Sequence, residues 1–152
     1  MSKPFYIREA VASESSLIAS FQLKMALETE NLMLNPIVLQ NGVNAVFDDP
    51  AKGYYYVAQA GDEVIGCMLT TYEWSDWRNG AFVWLQSLWV EPKWRGKGVF
   101  KALYNHVKES VLRNENLKGM RLYVFHTNKQ AQKVYGALEM GDESYRMFEW
   151  VK

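Results

Sequence analysis

The sequence has a single cysteine and no excess of charge of either sign. Cys67 cannot form a disulfide within the chain, and it lies in an apolar, strand-like run, so a scaffold held by disulfides is excluded and a buried thiol is expected. Seventeen basic residues balance seventeen acidic ones, so no global field attracts a nucleic acid or an anionic membrane. We therefore expect a cytoplasmic protein whose anion sites, if any, are local.

Long apolar runs and the usual metal and hydrolase motifs are also missing. No window approaches the roughly 18 continuous apolar residues of a membrane span, and "MSKPFYIREAV" does not have the apolar stretch of a signal peptide. The two histidines, His106 and His126, show no H-x-x-x-H spacing, and C-x-x-C and G-x-S-x-G are absent. The sequence therefore predicts no membrane span, no metal site and no serine or cysteine hydrolase.

Apolar and aromatic residues, in contrast, are plentiful, at 49% and 14% of the 152 residues. A chain of this length is about one domain, and such a domain buries roughly 70% of the surface that its unfolded chain exposes. No repeat, linker or low-complexity segment interrupts it. We expect one folded domain over residues 1–152.

Hydrophobic periodicity and turn signals predict the order β, α, α, β, β, β, α, β, α, β. A strand in "FYIREA" precedes a helix that Ser13 caps and that fades by Asn31, and Pro36 separates it from a shorter second helix. A hairpin about "GD" and a central strand "AFVWLQSLWV" follow, then a helix, the strand "MRLYVF", a helix capped by Thr127, and a last strand in "SYRMFEWV". This order predicts an α/β (α+β) fold with a mixed central sheet flanked by about four helices.

The central strand is apolar on both faces, as expected for a strand inside a sheet. Gln86 and Ser87 interrupt it with a polar pair. Two explanations stay open, a β-bulge or satisfied hydrogen bonds on one side and a functional role on the other. Strict alternation puts Phe82, Trp84, Leu88 and Val90 on one face, and Val83, Leu85 and Trp89 on the other.

A basic loop with two glycines, "RGKGVFK", lies between that strand and the next helix. A helix N-terminus attracts anions, and glycines let backbone N–H groups approach phosphate oxygens closely. The P-loop and dinucleotide motifs do not fit the spacing, since position 101 is Lys101 and not glycine. The pattern that fits is R-x-x-G-x-[GA], with Arg95 first and Gly98 fourth.

A second signal lies downstream, where "HTNKQAQKVYGALEM" places Asn128 seven residues before Tyr135. With the loop, this spacing resembles the GNAT-type N-acetyltransferases from about Val83 to Met140. The chain departs from the family pattern at Phe100, where Gly or Ala is usual, and at Glu139, where glycine is usual.

The resemblance implies that the acetyl group of acetyl-CoA passes to a primary amine of a small molecule by direct attack. Backbone N–H groups at the end of the central strand would contact the acetyl and pantetheine parts, and the glycine loop would wrap the pyrophosphate. Tyr135 would protonate the leaving thiolate as general acid. The residues expected to bind the cofactor are Leu88, Trp89, Val90, Arg95, Gly96, Lys97, Gly98, Val99, Phe100, Lys101, Asn128 and Tyr135.

The general base is harder to assign, because the two strands that carry it in many family members have no carboxylate here. Glu73 is the best single candidate, since its strand flanks the expected site, and a water relay is the alternative. Carboxylates and tryptophan faces would also attract an ammonium group. The residues expected to bind the acceptor are Glu28, Glu30, Trp74, Asp76 and Gln86.

Two other functions stay open at this point. The missing strand carboxylate fits an acyl-CoA-binding or sensing module that keeps the fold without efficient transfer. The exposed tryptophans of "YEWSDWRNG" fit an interaction domain that binds no CoA, or a surface that a second subunit covers in a homodimer. Binding of acetyl-CoA, and release of free thiol in the presence of amines, separate these alternatives.

Overall fold

The structure, a computed structural model, describes residues 4–152 and divides into two compact units. The first ends at Arg121 and the second is Leu122–Lys152. The first unit contains, in chain order, β1 (Tyr6–Glu9), α1 (Ser15–Glu30), α2 (Pro36–Asp48), β2 (Tyr54–Ala60), β3 (Glu63–Ser75), β4 (Gly80–Val90), α3 (Val99–Arg113) and β5 (Leu117–Arg121). The second contains α4 (Lys129–Ala137). A single domain over residues 1–152 stays a prediction.

The five strands form one sheet in the order β1-β2-β3-β4-β5. The first four pair antiparallel, whereas β4 and β5 are parallel. Parallel neighbours require a crossover, and α3 supplies it. The mixed sheet and the four helices confirm the predicted fold class.

Helices cover both faces of the sheet. On one face, Ile18 and Phe21 of α1 pack with Val43 of α2 against Cys67 and Trp89. On the opposite face α3 begins close to β3, because a Cβ on Gly66 would lie 3.4 Å from Val99 Cγ1 and 2.8 Å from the Trp89 carbonyl oxygen. The clash with the Trp89 carbonyl oxygen of β4 is therefore what requires glycine at position 66, whereas Val99 of α3 would lie close to ordinary contact distance. Within residues 4–152, no helix has the length and apolarity needed to cross a bilayer.

The structure shows that two predicted helix caps are wrong. Pro36, predicted to separate the first two helices, is the first residue of α2, and the Asn35 side chain caps this helix by accepting from two backbone N–H groups. Ser13, however, lies in a 3-10 turn at residues 12–14, and α1 starts after it. The cap of α4 is Asn128 and not Thr127. Both predictions missed by one or two residues because several hydroxyl and amide side chains stand next to each boundary.

A bulge corrects the predicted faces of β4. Trp89 lies opposite Cys67 and Gln86 lies opposite Leu69, so two residues of β4 stand against Met68 alone. Residues directly opposite in an antiparallel pair share a face, so Trp89 shares the face of Gln86. Strict alternation was therefore wrong beyond Ser87, because the extra residue reverses the order of the faces.

The end of the chain differs from the prediction. β5 stops at Arg121, and residues 138–152 contain neither helix nor strand, although "SYRMFEWV" alternates. Phe148 and Trp150 are 94% and 86% exposed. Alternating apolar and polar residues favour an extended chain, but they do not provide a neighbouring strand to pair with. A strand without such a partner is not stable. Glu139, at the position where the family usually has glycine, has φ 66.

Candidate functional site

A shallow pocket of about 260 Å³ lies between the last turns of α1 and the end of β4. The helix contributes Met25, Glu28 and Thr29, spaced so that they share one face. Its other lining residues are Leu88, Trp89, Val90 and Arg95. The structure therefore brings three of the predicted backbone donors next to Arg95 of the glycine loop and Glu28 of the predicted acceptor site.

Beyond Trp84, the edge of β4 on the β5 side has no strand partner among the described residues, and we call it the open edge. β5 pairs with β4 only from Ala81 to Trp84. The Glu91 N–H donates to the Ile65 carbonyl oxygen of β3 at 2.8 Å, and N–H groups of successive strand residues alternate between the two edges. The N–H of Val90 therefore faces away from β3, whereas that of Trp89 faces β3, where it lies beside the Cys67 thiol. Of these two predicted donors, Val90 has its N–H on the open edge.

A buried glutamine that the sequence reasoning missed contacts the bulge. Gln22 is 4% exposed, and its Nε2 donates to the Ser87 carbonyl oxygen at 3.0 Å. The same Nε2 lies 3.5 Å from Cys67 Sγ. A signal was present in the sequence, since Gln22 lies on the apolar face of α1, four residues after Ile18 and three before Met25.

Both glycines of the loop between β4 and α3 have left-handed backbone conformations. Gly96 and Gly98 have φ values of 74 and 84, which side chains with a Cβ rarely adopt. Gly98 is the N-cap of α3, so the first-turn N–H groups of that helix, which lack intrahelical partners, begin immediately after it. A Cβ on either glycine would meet nothing within 4 Å. Lys97 and Lys101 are exposed, and Lys97 Nζ lies 5.3 Å from the centre of the Trp94 ring.

Arg95, in contrast, is already engaged within the protein. Its guanidinium nitrogens lie 2.5 and 2.8 Å from the two carboxylate oxygens of Glu28. Its Nε donates to the Val90 carbonyl oxygen at 3.0 Å, and its guanidinium carbon lies 4.8 Å from the centre of the Trp89 ring. The hydrogen bonds from Arg95 hold the pKa of Glu28 below its usual value. Arg95 thus ties the end of α1 to the end of β4.

We expect Glu28→Gln to weaken the binding of acetyl-CoA by about threefold. Loss of the bidentate pair frees Arg95 and loosens the end of β4, and a partly exposed pair of this kind contributes up to about 1 kcal/mol. Isothermal calorimetry with acetyl-CoA measures the change. Glu30→Gln, two residues further along the same helix, is the control. Tighter binding by Glu28→Gln would contradict the expectation, since it would mean that Glu28 competes with the phosphates for Arg95.

The predicted acceptor carboxylates do not lie together. Glu73 lies opposite Phe82, whereas Glu28 lies at the pocket with Leu88, and six strand residues separate these points by about 20 Å. Asp76 is in the exposed turn between β3 and β4, where its carboxylate accepts from the Trp77 N–H at 3.0 Å. Glu30, Trp74 and Trp77 are also exposed. The pocket therefore contains one of the four carboxylates.

Glu73, the predicted base, forms an ion pair with Arg121 of β5. The Arg121 guanidinium carbon lies 3.7 Å from the centre of the Phe82 ring. The Arg121 guanidinium donates hydrogen bonds to the Glu73 carboxylate and stays protonated itself. To accept a proton from an amine, Glu73 has to give up part of this contact.

The remaining predicted contacts in the first unit have structural partners. Gln86 donates from Nε2 to the Thr71 hydroxyl at 2.6 Å. Phe100 is half-buried, and its ring centre lies 6.1 Å from that of Tyr104. Val99 is 2% exposed, in the core beneath the loop. The bulk of Phe100 thus packs along α3, and at Val99 the backbone N–H is the group available to a ligand.

In the second unit, Asn128 and Tyr135 both lie at α4. The Asn128 side-chain oxygen accepts from the Ala131 N–H at 3.1 Å, which is the ordinary work of an N-cap. Tyr135 is half-buried, and burial raises the pKa of its hydroxyl. Their roles toward a cofactor stay predictions.

Cys67 does not have the properties of a nucleophile. It is fully buried, and burial raises the pKa of its thiol to about 12, so it stays protonated at neutral pH. Among residues 4–152, no group of three or more His, Cys, Asp and Glu side chains is placed to hold a metal ion.

Comparison with known proteins places this architecture in a family. The family model described as "Acetyltransferase (GNAT) family" matches residues 23–140. A thialysine N-epsilon-acetyltransferase of Bos taurus is 32% identical over 79 residues, which are 52% of this chain and 45% of that protein. The chain thus spans less than half the length of this relative.

Solved structures are similar over almost the whole chain. A possible acetyltransferase from Clostridium difficile 630 is 42% identical, with a TM-score of 0.92 and 97% of each chain covered. A "predicted acetyltransferase with acetyl-CoA" from Clostridium acetobutylicum is 16% identical, with a TM-score of 0.77 and 96% of each chain covered. The second similarity is one of fold alone.

Proposed function

Because the chain belongs to the GNAT acetyltransferase family, we propose that it transfers an acetyl group from acetyl-CoA to a primary amine of a small molecule. The observation that carries the proposal is the loop between β4 and α3. There Gly98, with φ 84, ends the loop and caps a 15-residue helix. The chain thus directs helix N–H groups at an open space that directly follows β4.

The residues of this loop fit acetyl-CoA, the cofactor of the family. The space that a Cβ would fill at Gly96 and Gly98 is open, which is what close approach of a pyrophosphate to the backbone requires. Lys97 and Lys101 supply positive charge, together with the N-terminal end of the α3 dipole. Arg95 contributes through its contacts with Glu28 and Val90.

Bound acetyl-CoA supplies an activated acetyl group as a thioester. Backbone N–H groups on the open edge of β4, including that of Val90, would stabilise negative charge on its carbonyl oxygen, and they act best because the sheet fixes them in advance. The proposed base is Glu73, after it releases part of its contact with Arg121. The proposed acid is Tyr135, whose raised pKa keeps its proton on the hydroxyl at neutral pH.

The acceptor class follows from the pocket and from the relatives. Glu28 is ionised in the pocket but is paired there with Arg95, so an ammonium would bind it by taking over part of that ion pair. A pocket of about 260 Å³ admits a small side-chain amine. The bovine relative is named for acetylation of thialysine, an amine of this size. A small molecule with a primary amine therefore suits the site better than a folded protein or a nucleic acid.

One observation favours a second candidate, an acyl-CoA-binding or sensing module with weak transfer. Two of the predicted carboxylates, Glu28 and Glu73, are held by arginines. If both ion pairs stay closed, neither Glu28 nor Glu73 can act as the base. The protein then binds the cofactor without efficient turnover.

Two measurements test the proposal in sequence. Acetyl-CoA at a large excess over its Kd should raise the melting temperature, because a ligand that binds only the folded state stabilises it by about 2.7 kcal/mol at a hundred times its Kd. A screen of thialysine, lysine, polyamines, aminoglycosides and histone-like peptides then follows free thiol. We expect turnover with small primary amines, and a loss of about 100-fold at pH 7 in Glu73→Gln that shrinks at high pH, where the amine is already neutral.

The outcomes separate the candidates. A thermal shift without thiol release supports the sensing module, and no thermal shift rejects both. Turnover confined to peptides or to hydroxyl acceptors would contradict the acceptor class. Full turnover by Glu73→Gln at pH 7, with Glu9→Gln of β1 as the control, would remove Glu73 from the mechanism.

A further inference from the structure

We propose that Gln22 is a positioning residue for acetyl transfer, because its side-chain amide fixes the peptide plane between Ser87 and Leu88. The inference rests on the proposed function. It starts from a contact that the mechanism above does not use, the hydrogen bond of 3.0 Å from Gln22 Nε2 to the Ser87 carbonyl oxygen. It names the residue that aims one backbone N–H of β4 at the reacting group.

The peptide group between Ser87 and Leu88 is rigid, so fixing its oxygen also fixes its N–H. The Ser87 carbonyl and the Leu88 N–H belong to one peptide group, which is planar and trans. In such a group the C=O and the N–H point in opposite directions. The Ser87 oxygen faces Gln22 and β3, where Cys67 Sγ also lies 3.9 Å from it. The Leu88 N–H therefore points away from Gln22 and Cys67.

The second step concerns why this peptide needs support. Ser87 has φ 52, the left-handed region that residues with a Cβ disfavour. Beyond the bulge the strand is fixed by Trp89, which is 5% exposed in the core. The register after the bulge is therefore held by packing, whereas the Ser87–Leu88 peptide itself can rotate unless a partner holds its oxygen. Gln22 is a buried partner that does so.

The third step is the location of this peptide. Leu88 lines the pocket together with Met25 and Glu28, which follow Gln22 on the same helix. Gln22 is thus one turn away from the acceptor side of the pocket while it holds the strand that carries the donors. Loss of its hydrogen bond would disorient one donor without removing any group that contacts cofactor or amine.

The main test variant is Gln22→Met, which keeps the length of the side chain and removes the donor. We expect kcat to fall by about 10- to 100-fold, the range for a misplaced reacting geometry, while the KM for acetyl-CoA changes by less than threefold. Gln40→Met is the matched control, because Gln40 is a part-buried glutamine of α2 that bonds Asn44 and Ser15 and lies in a different helix. If Gln22→Met does not fold, Gln22→Leu removes the donor with a smaller apolar side chain.

A second readout needs neither cofactor nor turnover. In nitrogen-15 NMR spectra of the unliganded protein, Gln22→Met should shift the Leu88 amide signal and speed its hydrogen exchange, and Gln40→Met should not. Adding Ser87→Gly to Gln22→Met should restore part of kcat, since glycine adopts φ 52 without strain.

The results decide as follows. An unchanged Leu88 amide overturns the inference, whatever the activity. A shifted amide with unchanged kcat also overturns it, and leaves Gln22 a structural residue. If the wild-type protein turns over no amine, the proposed function and the role of Gln22 in transfer both fail, and the amide shift alone then records that Gln22 holds the bulge. A shifted amide with a reduced kcat and an unaltered KM supports the inference.

Discussion

Gly98→Val should abolish the binding of acetyl-CoA. Gly98 has φ 84 and caps α3, and the space in front of it is open to 4 Å, so a valine side chain would fill the place where a phosphate approaches the helix N-terminus. We expect affinity to fall by about 100-fold or more, which is about 2.7 kcal/mol of binding free energy. Isothermal calorimetry with acetyl-CoA, and with CoA alone, measures the loss.

The same substitution also strains the backbone, so a strain control is needed. Gly61, in the turn between β2 and β3, has φ 60, and Gly61→Val imposes a similar left-handed cost of about 1–2 kcal/mol away from the loop. The two variants should lose similar stability in urea, and only Gly98→Val should lose the cofactor. If Gly98→Val stays folded and binds acetyl-CoA like the wild type, the cofactor loop has been misassigned.

Tyr135→Phe should lower kcat by about 100-fold, the low end for general acid catalysis, with little change in the affinity for acetyl-CoA. Phenylalanine keeps the packing of this half-buried ring and removes only the hydroxyl. Burial raises the pKa of that hydroxyl, so it carries its proton throughout the neutral range and is competent to protonate a thiolate. Steady-state kinetics with the best amine from the screen measures the change.

Tyr145→Phe is the control for this variant, because Tyr145 is 77% exposed and lies outside α4. Its kcat should match that of the wild type. Equal turnover by Tyr135→Phe and the wild type would mean that Tyr135 is only a packing residue of α4. The thiolate would then take its proton from water.

Several features of this protein followed from the sequence because they are local. Periodicity identified α1 and α3, since one apolar face at helical spacing has to be buried. Pro36 marked the boundary between the first two helices, and the "GD" turn marked the β2–β3 hairpin. The glycine loop between β4 and α3 was likewise identified from "RGKG". Each of these depends on a few neighbouring residues.

Contacts between distant segments were decided only by the tertiary structure. The bulge at Ser87 reverses the faces of β4. It arises from the pairing with β3, which the sequence of β4 alone does not specify. Arg95 was predicted to meet phosphate, yet it bonds Glu28, 67 residues away. Gln22 reaches Ser87 across 65 residues. Side-chain chemistry and spacing indicate which groups can form hydrogen bonds or bind a ligand. Which partner each group contacts is determined by the packing of the whole chain.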